Sequence, residues 1–79
     1  MKVKLKFFAS LRMLTGTAGT ELEVPEGTKT GDLLELVREK YDGFTEKTVL
    51  YAVNGDYVGE NAGLKEGDAI AFFPPVSGG

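Results

Sequence analysis

A chain of 79 residues with formal net charge −3, 42% hydrophobic and 27% charged, is one small globular domain rather than a disordered segment. It holds neither Cys nor His, which removes disulfide staples, thiol and imidazole nucleophiles and nearly every zinc site. Lysines and acids are interspersed and no apolar run is long enough for a bilayer, so neither nucleic acid nor membrane is an expected partner.

Lys2-Val3-Lys4-Leu5-Lys6-Phe7 alternates polar and apolar residues strictly. This predicts a half-buried strand with Val3, Leu5 and Phe7 inward and the lysines outward. The alternation leaves no continuous apolar core for a signal peptide, and a cytoplasmic location is expected. Ser10 to Leu14 predicts a short helix stopped by Gly16, and Gly16 to Thr20 a loop. Glu21-Leu22-Glu23-Val24 is a second alternating strand, with acids where the first has lysines, so pairing the two sets Lys opposite Glu.

From Thr30 the period becomes helical. Leu33, Leu36, Val37 and Tyr41 form one predicted buried stripe, with Glu35, Arg38 and Glu39 on the solvated side. Thr30 is the expected N-cap, Asp32 an acid in the first turn and Gly43 the stop, giving a helix over about 32–41. Val49 to Val53 predicts a strand, Asn54-Gly55 a tight hairpin turn and Asp56-Tyr57-Val58 a short return strand. After a loop punctuated by Gly63 and Gly67, Ala69 to Phe73 is the last strand, ended by Pro74-Pro75. One main helix must cover one face of a mixed sheet, since the sheet's apolar side has no other cover. The predicted fold is therefore α+β, a β-grasp of four to five strands with a short helix after the first. A domain over 1–75 and a flexible tail over 76–79 are expected.

The common catalytic signatures are missing: there is no G-x-S-x-G, no P-loop and no metal-ligand cluster. Gly16-Thr17-Ala18-Gly19 lacks the lysine and following helix of a phosphate loop and reads as a turn. Glu21 and Glu23 alternate on a solvated face, an unsuitable setting for acid catalysis. The chain is not expected to be an enzyme by itself.

The distinctive stretch is the end, Phe73-Pro74-Pro75-Val76-Ser77-Gly78-Gly79. The prolines stop the strand and send the chain out extended, so residues 76–79 reach about 13 Å beyond the body. Two glycines without Cβ atoms pass through a narrow channel and leave the terminal carbonyl unhindered.

These residues resemble the small subunit of molybdopterin synthase, of the MoaD type, over essentially the whole chain. The resemblance is carried by Phe7-Phe8-Ala9-Ser10-Leu11-Arg12 with Leu14-Thr15-Gly16, by Gly31-Asp32-Leu33-Leu34 and by Ala52-Val53-Asn54. Most specific is Leu64-Lys65-Glu66-Gly67-Asp68 leading into Ala71-Phe72-Phe73-Pro74-Pro75-Val76-Ser77-Gly78-Gly79. One departure is Met13, where many members carry an acid. The resemblance implies a ubiquitin-like sulfur carrier of molybdenum or tungsten cofactor biosynthesis. In that family a ubiquitin-activating-type enzyme uses ATP to adenylate the terminal glycine, here Gly79, with Gly78 its permissive neighbour. A sulfur donor then yields the thiocarboxylate, and within the large subunit its sulfur passes to a cyclic pyranopterin. No cofactor bound by the chain itself is implied. Two rival roles share the activation step: a protein modifier joined through Gly79 to lysines, and a sulfur carrier for thiazole or tRNA thiolation.

A docking surface follows from strand parity. Phe8 shares the parity of Lys2, Lys4 and Lys6, and Phe73 faces away from Ile70 and Phe72. The first and last strands of a β-grasp sheet are neighbours, so Phe8 and Phe73 are expected together on the open face, joined by Tyr57. Pro74, Pro75, Val76 and Ser77 complete the expected partner contacts.

Overall fold

The computed structural model describes residues 1–41 and 49–75. The expected tail over 76–79 and the stop at Gly43 lie outside them. The elements run β1 (Lys2–Phe7), α1 (Ser10–Thr15), β2 (Gly19–Glu23), α2 (Thr30–Lys40), β3 (Leu50–Val53), β4 (Asp56–Val58) and β5 (Ala69–Phe73). One mixed sheet has the order β2-β1-β5-β3-β4, with β1 and β5 parallel and the other pairs antiparallel. This is the β-grasp, ubiquitin-like fold.

The alternation of β1 is realised residue by residue: Val3, Leu5 and Phe7 are buried and the three lysines exposed. Their apolar face meets Ile70 and Phe72 of β5 and Leu33, Leu34 and Val37 of α2 in one core. Phe7 and Phe72 pair in register and stack at 5.8 Å between centroids. Tyr51 adds an edge contact to Phe72 at 5.9 Å, and Tyr41 one to Phe7 at 5.6 Å. Each such ring pair adds about 0.5–1.5 kcal/mol beyond the area it buries.

The helix stripe is broader than Leu33, Leu36, Val37 and Tyr41. Leu34 is buried, while Leu36 and Tyr41 are only half-buried against the core. Arg38, expected among the solvated residues, is half-covered and sits 3.5 Å from Glu35. Thr30 is not the N-cap but the first helical residue. Lys29 holds the cap position, and its N–H donates to the Asp32 carboxylate at 3.1 Å. The Thr30 hydroxyl donates instead to the Gly59 carbonyl from a fully buried site, and its N–H donates to Ala62 O at 3.0 Å. The polar groups at the start of α2 thus fasten it to the loop before β5, and a tertiary acceptor takes the hydroxyl from the local capping role.

Gly16 closes α1 in the left-handed region at φ 76°. Asn54 and Gly55, at φ 50° and 91°, make the two-residue hairpin turn between β3 and β4. Lys2 and Lys4 stand opposite Glu23 and Glu21 as predicted, yet among the described residues no Lys closes to salt-bridge distance of a Glu.

β2 begins two residues earlier than predicted, at Gly19, inside the segment read as a loop. A Cβ on Gly19 would lie 2.8 Å from the Leu5 carbonyl oxygen, so glycine here permits a close strand approach rather than a turn. Gly19→Ala is therefore expected to cost about 1–3 kcal/mol in urea unfolding. Gly59, where an added Cβ meets nothing within 4 Å and no positive φ is needed, is the control. Gly59→Ala should leave stability unchanged or raise it by up to about 1 kcal/mol.

Candidate functional site

The open face of the sheet is built from residues of one parity. β1 contributes its lysines, β5 Ala69, Ala71 and Phe73, and β3 Leu50 and Ala52, with Leu50 directly opposite Phe73. Ala71 pairs with Ala52, and Ala52 with Tyr57. The two small side chains leave a low floor, and the Tyr57 and Phe73 rings meet edge to face beside it at 5.4 Å. Tyr57 is 74% exposed and Leu50 38%, while Phe73 is half-buried beneath its neighbours. Three large apolar residues at one end of an otherwise charged face, beside Pro74 and Pro75, form the kind of patch that partners cover.

Phe8 is 49% exposed. Its N–H donates to the Phe72 carbonyl at 3.1 Å, which extends the β1–β5 register past Phe7 and sets Phe8 alongside Phe73. Phe8 forms no ring pair with Phe73 or Tyr57 among the described residues, so the expected three-ring cluster is a Tyr57–Phe73 pair with Phe8 to one side. Phe8 instead lines a depression of about 600 Å³ with Lys4, Lys6, Arg12, Gly19 and Glu21. Val76, Ser77, Gly78 and Gly79 lie outside the described residues.

The turn that places Phe8 is strained. Ala9 has φ 53° and ψ −131°, a region almost reserved for glycine and worth about 1–3 kcal/mol of strain in other residues. Two hydrogen bonds hold it: Leu11 N–H donates to Phe8 O and Arg12 N–H to Ala9 O, each at 3.1 Å. Leu11, fully buried, pins α1 to the core end of β1. Leu50 was not among the predicted contacts, although the alternation of Val49 to Val53 carries the signal: with Tyr51 and Val53 inward, Leu50 turns out.

Among the described residues no group of acids is arranged to hold a metal ion, and no helix is long and apolar enough to cross a membrane. Tyr51, on the core side of β3, sits in a perturbed setting. Its burial raises its pKa above the ordinary value near 10, Glu60 pushes the same way, Arg38 opposes and Glu35 adds to the rise. The neutral phenol is thus favoured in the folded state. Its contribution to stability is complete below the unfolded pKa and lost as pH climbs from there to the folded pKa. Stability should therefore fall as pH rises above about 10, and Tyr51→Phe should flatten that fall in denaturant titrations at a series of pH values.

A β-grasp sheet whose central strand β5 ends at two prolines, ahead of a Gly-Gly sequence and beside an apolar patch, defines a ubiquitin-like carrier. The model of the ThiS family matches residues 5–79, and the chain belongs to that family. It is 34% identical over 83 residues to a molybdopterin synthase sulfur carrier subunit of Chlamydomonas reinhardtii, covering all of both chains. It is 32% identical to small archaeal modifier protein 3 of Haloferax volcanii, again over the whole of each. Among solved structures, the putative molybdopterin converting factor subunit 1 of Pyrococcus furiosus superposes with a TM-score of 0.91 at 40% identity, covering 96% of this chain and 99% of that one. At 24% identity, and so for the fold alone, a chain of the Helicobacter pylori complex of molybdopterin-converting factor subunits 1 and 2 matches with a TM-score of 0.70, each chain fully covered. The chain is of the ThiS/MoaD type, and its relatives are named as sulfur carriers and as a protein modifier.

Proposed function

We propose that this chain carries sulfur for molybdenum or tungsten cofactor biosynthesis, as the small subunit of a molybdopterin synthase, on the carboxylate of Gly79. The observation that carries the reading is 34% identity, over the whole chain or nearly so, to relatives named for that role, on a fold whose last strand β5 is followed in sequence by two prolines and then by Gly-Gly. The chemistry follows from the carboxylate. A carboxylate is a poor acyl donor until one oxygen leaves with a good leaving group. Attack of the Gly79 oxygen on the α-phosphorus of ATP, with loss of pyrophosphate, gives the acyl-adenylate. A sulfur donor at the oxidation level of sulfide then displaces AMP, which carries that oxygen away and leaves the thiocarboxylate. The sulfur attacks a carbon of a cyclic pyranopterin and displaces an oxygen leaving group from it. Water then cleaves the acyl–sulfur bond of the resulting thioester, leaving the sulfur on the pterin and restoring the Gly79 carboxylate. Gly78 gives the tail the slimness to enter both active centres.

In this reading the partners are a ubiquitin-activating-type adenylating enzyme that uses ATP, the sulfur donor and the synthase large subunit. The chain itself holds no cofactor. Phe73, Tyr57, Leu50 and Phe8 give the partners their footing, with Pro74, Pro75, Val76 and Ser77 leading into the channel. The full-length likeness to an archaeal modifier protein supports a second reading, in which the same activated Gly79 is joined to lysines of other proteins.

Incubation with the host's activating enzyme, ATP and a sulfur donor should raise the intact mass by the difference between one sulfur and one oxygen. Deleting Gly79 should abolish the gain. Isopeptide-linked conjugates in lysate, without that mass gain, would favour the modifier instead. Phe73→Ala should weaken large-subunit binding by about tenfold or more while the domain still folds, as expected of a central aromatic contact. Tyr57→Ala, which loses the edge contact to Phe73, should cost about 0.5–1.5 kcal/mol of stability. Isothermal titration and thermal unfolding of each variant separate the two effects.

A further inference from the structure

β2 is an edge strand, and its outer side is built to accept another strand. Phe7 N–H donates to Ala18 O at 2.9 Å and Val24 N–H to Met1 O at 2.7 Å. With the antiparallel register between them, residues of even number turn their backbone groups toward β1. Gly19, Glu21 and Glu23 turn theirs outward. Gly19 is already served, since the Thr17 hydroxyl donates to its carbonyl at 2.8 Å and accepts from its N–H at 3.3 Å. Among the described residues no group accepts from the N–H of Glu21 or Glu23, and the Thr20 hydroxyl reaches the Glu21 carbonyl only at 3.5 Å.

The charged side chains of β2 itself have one sign, with Lys4, Lys6 and Arg12 around the depression beside Glu21. Glu21 and Glu23 stand on the open-face side of the edge. Beyond Val24 the chain turns into α2 around a depression of about 410 Å³ whose charged lining is Glu26, Asp32 and Glu35. Of these five acids, Glu23 meets the Met1 amino group at 3.3 Å and Glu35 meets Arg38 at 3.5 Å. Leu22 is only partly covered on the core side and presents apolar surface there.

We propose that the β2 edge binds an extended basic segment of a partner protein, in which Lys or Arg alternates with apolar residues, by antiparallel strand addition. The backbone of Glu21 and Glu23 supplies the hydrogen bonds, the acids select the basic residues, and the apolar residues extend the sheet's buried face beyond Leu22. The molecule contains one such pairing already: β1, Lys-Val-Lys-Leu-Lys-Phe, lies against the inner side of β2 with Lys2 opposite Glu23 and Lys4 opposite Glu21. A second copy is the wrong occupant, because antiparallel pairing of two β2 edges about Glu21 sets Glu against Glu, a device that keeps edges from self-association. The proposal is independent of the sulfur chemistry, since it involves neither the apolar patch nor the tail.

The test is amide hydrogen exchange by NMR on the full chain, with and without a blocked hexapeptide of the β1 sequence. A peptide of the same composition with its lysines contiguous serves as control. The β1 peptide should slow exchange of the Glu21 and Glu23 amides by about tenfold at saturation, with no matching change at Thr20 or Leu22, whose amides already bond to β1. Added salt should weaken the effect, and the folded double variant E21K/E23K should lose it. No selective slowing at these two amides, or equal slowing by the control peptide, would overturn the proposal. So would protection that grows with protein concentration in the absence of peptide, which would assign the edge to a second copy.

Discussion

The parallel pairing of β1 with β5 is the constraint on which the rest of the molecule depends. Parallel neighbours cannot be joined by a tight turn, so the chain between Phe7 and Ala69 must leave these two strands and travel back to the end where β1 began. α2 is the long element of that excursion, and it returns across the only face whose parity is apolar. Once Phe7 is matched with Phe72, every other side chain of the two strands is assigned a face. Shifting the register by one residue would place lysines in the core and Phe7 in water, a penalty of several kcal/mol per buried charge. The same match carries the end of β5 past Phe8 and fixes where Pro74 and Pro75 begin.

The opposite end of these two strands is held by polar groups rather than apolar ones. Gly67 N–H donates to Lys2 O, Lys2 N–H to the Glu66 carboxylate and Lys4 N–H to Asp68 O, each at 2.8 Å. Asp68 accepts from the Asn54 amide at 2.9 Å and from Lys65 N–H at 2.8 Å. Asn54 in turn accepts from Ala69 N–H at 3.0 Å. The segment Leu64 to Asp68 therefore joins the start of β1, the start of β5 and the β3–β4 turn through backbone groups and the side chains of Glu66, Asp68 and Asn54. These bonds to carboxylates are exposed, so solvent holds each to about 0.5–1 kcal/mol, yet together they make a latch that matters in a domain with so small a core. It also explains why Asn rather than Gly stands at the first turn position: its side chain tolerates the left-handed region and serves the latch as well.

Strand parity made much of this visible in the sequence. The inward residues of β1 and β5, the limits of β4 and β5, the Asn54-Gly55 turn and the Lys–Glu register each follow from a period of two or from turn chemistry acting over a few residues. What escaped depends on distant partners. Gly19 looks like a loop glycine until the Leu5 carbonyl is placed against it. Thr30 looks like a cap until the Gly59 carbonyl arrives from a remote loop. Phe8 stays to one side of the Tyr57–Phe73 pair, next to the turn at Ala9, and no local pattern announces an alanine at positive φ. The Gly-Gly end is different again: its meaning is chemical, and it rests on the family rather than on packing.

The two faces of the sheet divide the work. The α2 face buries Phe7, Phe72, Leu5 and Ile70 almost completely and supplies the stability of the isolated domain. The open face forgoes such burial: Ala52 and Ala71 where larger residues would pack, and Tyr57 and Leu50 left to solvent. In the proposed cycle the same four residues beyond Pro75 must enter the adenylating enzyme and then the large subunit. With a reach of only about 13 Å, either partner must seat itself over the end of β5 to receive Gly79. The two must therefore occupy overlapping ground around Phe73 and Pro74, and cannot bind together. A carrier of this kind has to be stable with its docking face bare, because it is alone between the two encounters, and a core confined to the opposite face meets that requirement.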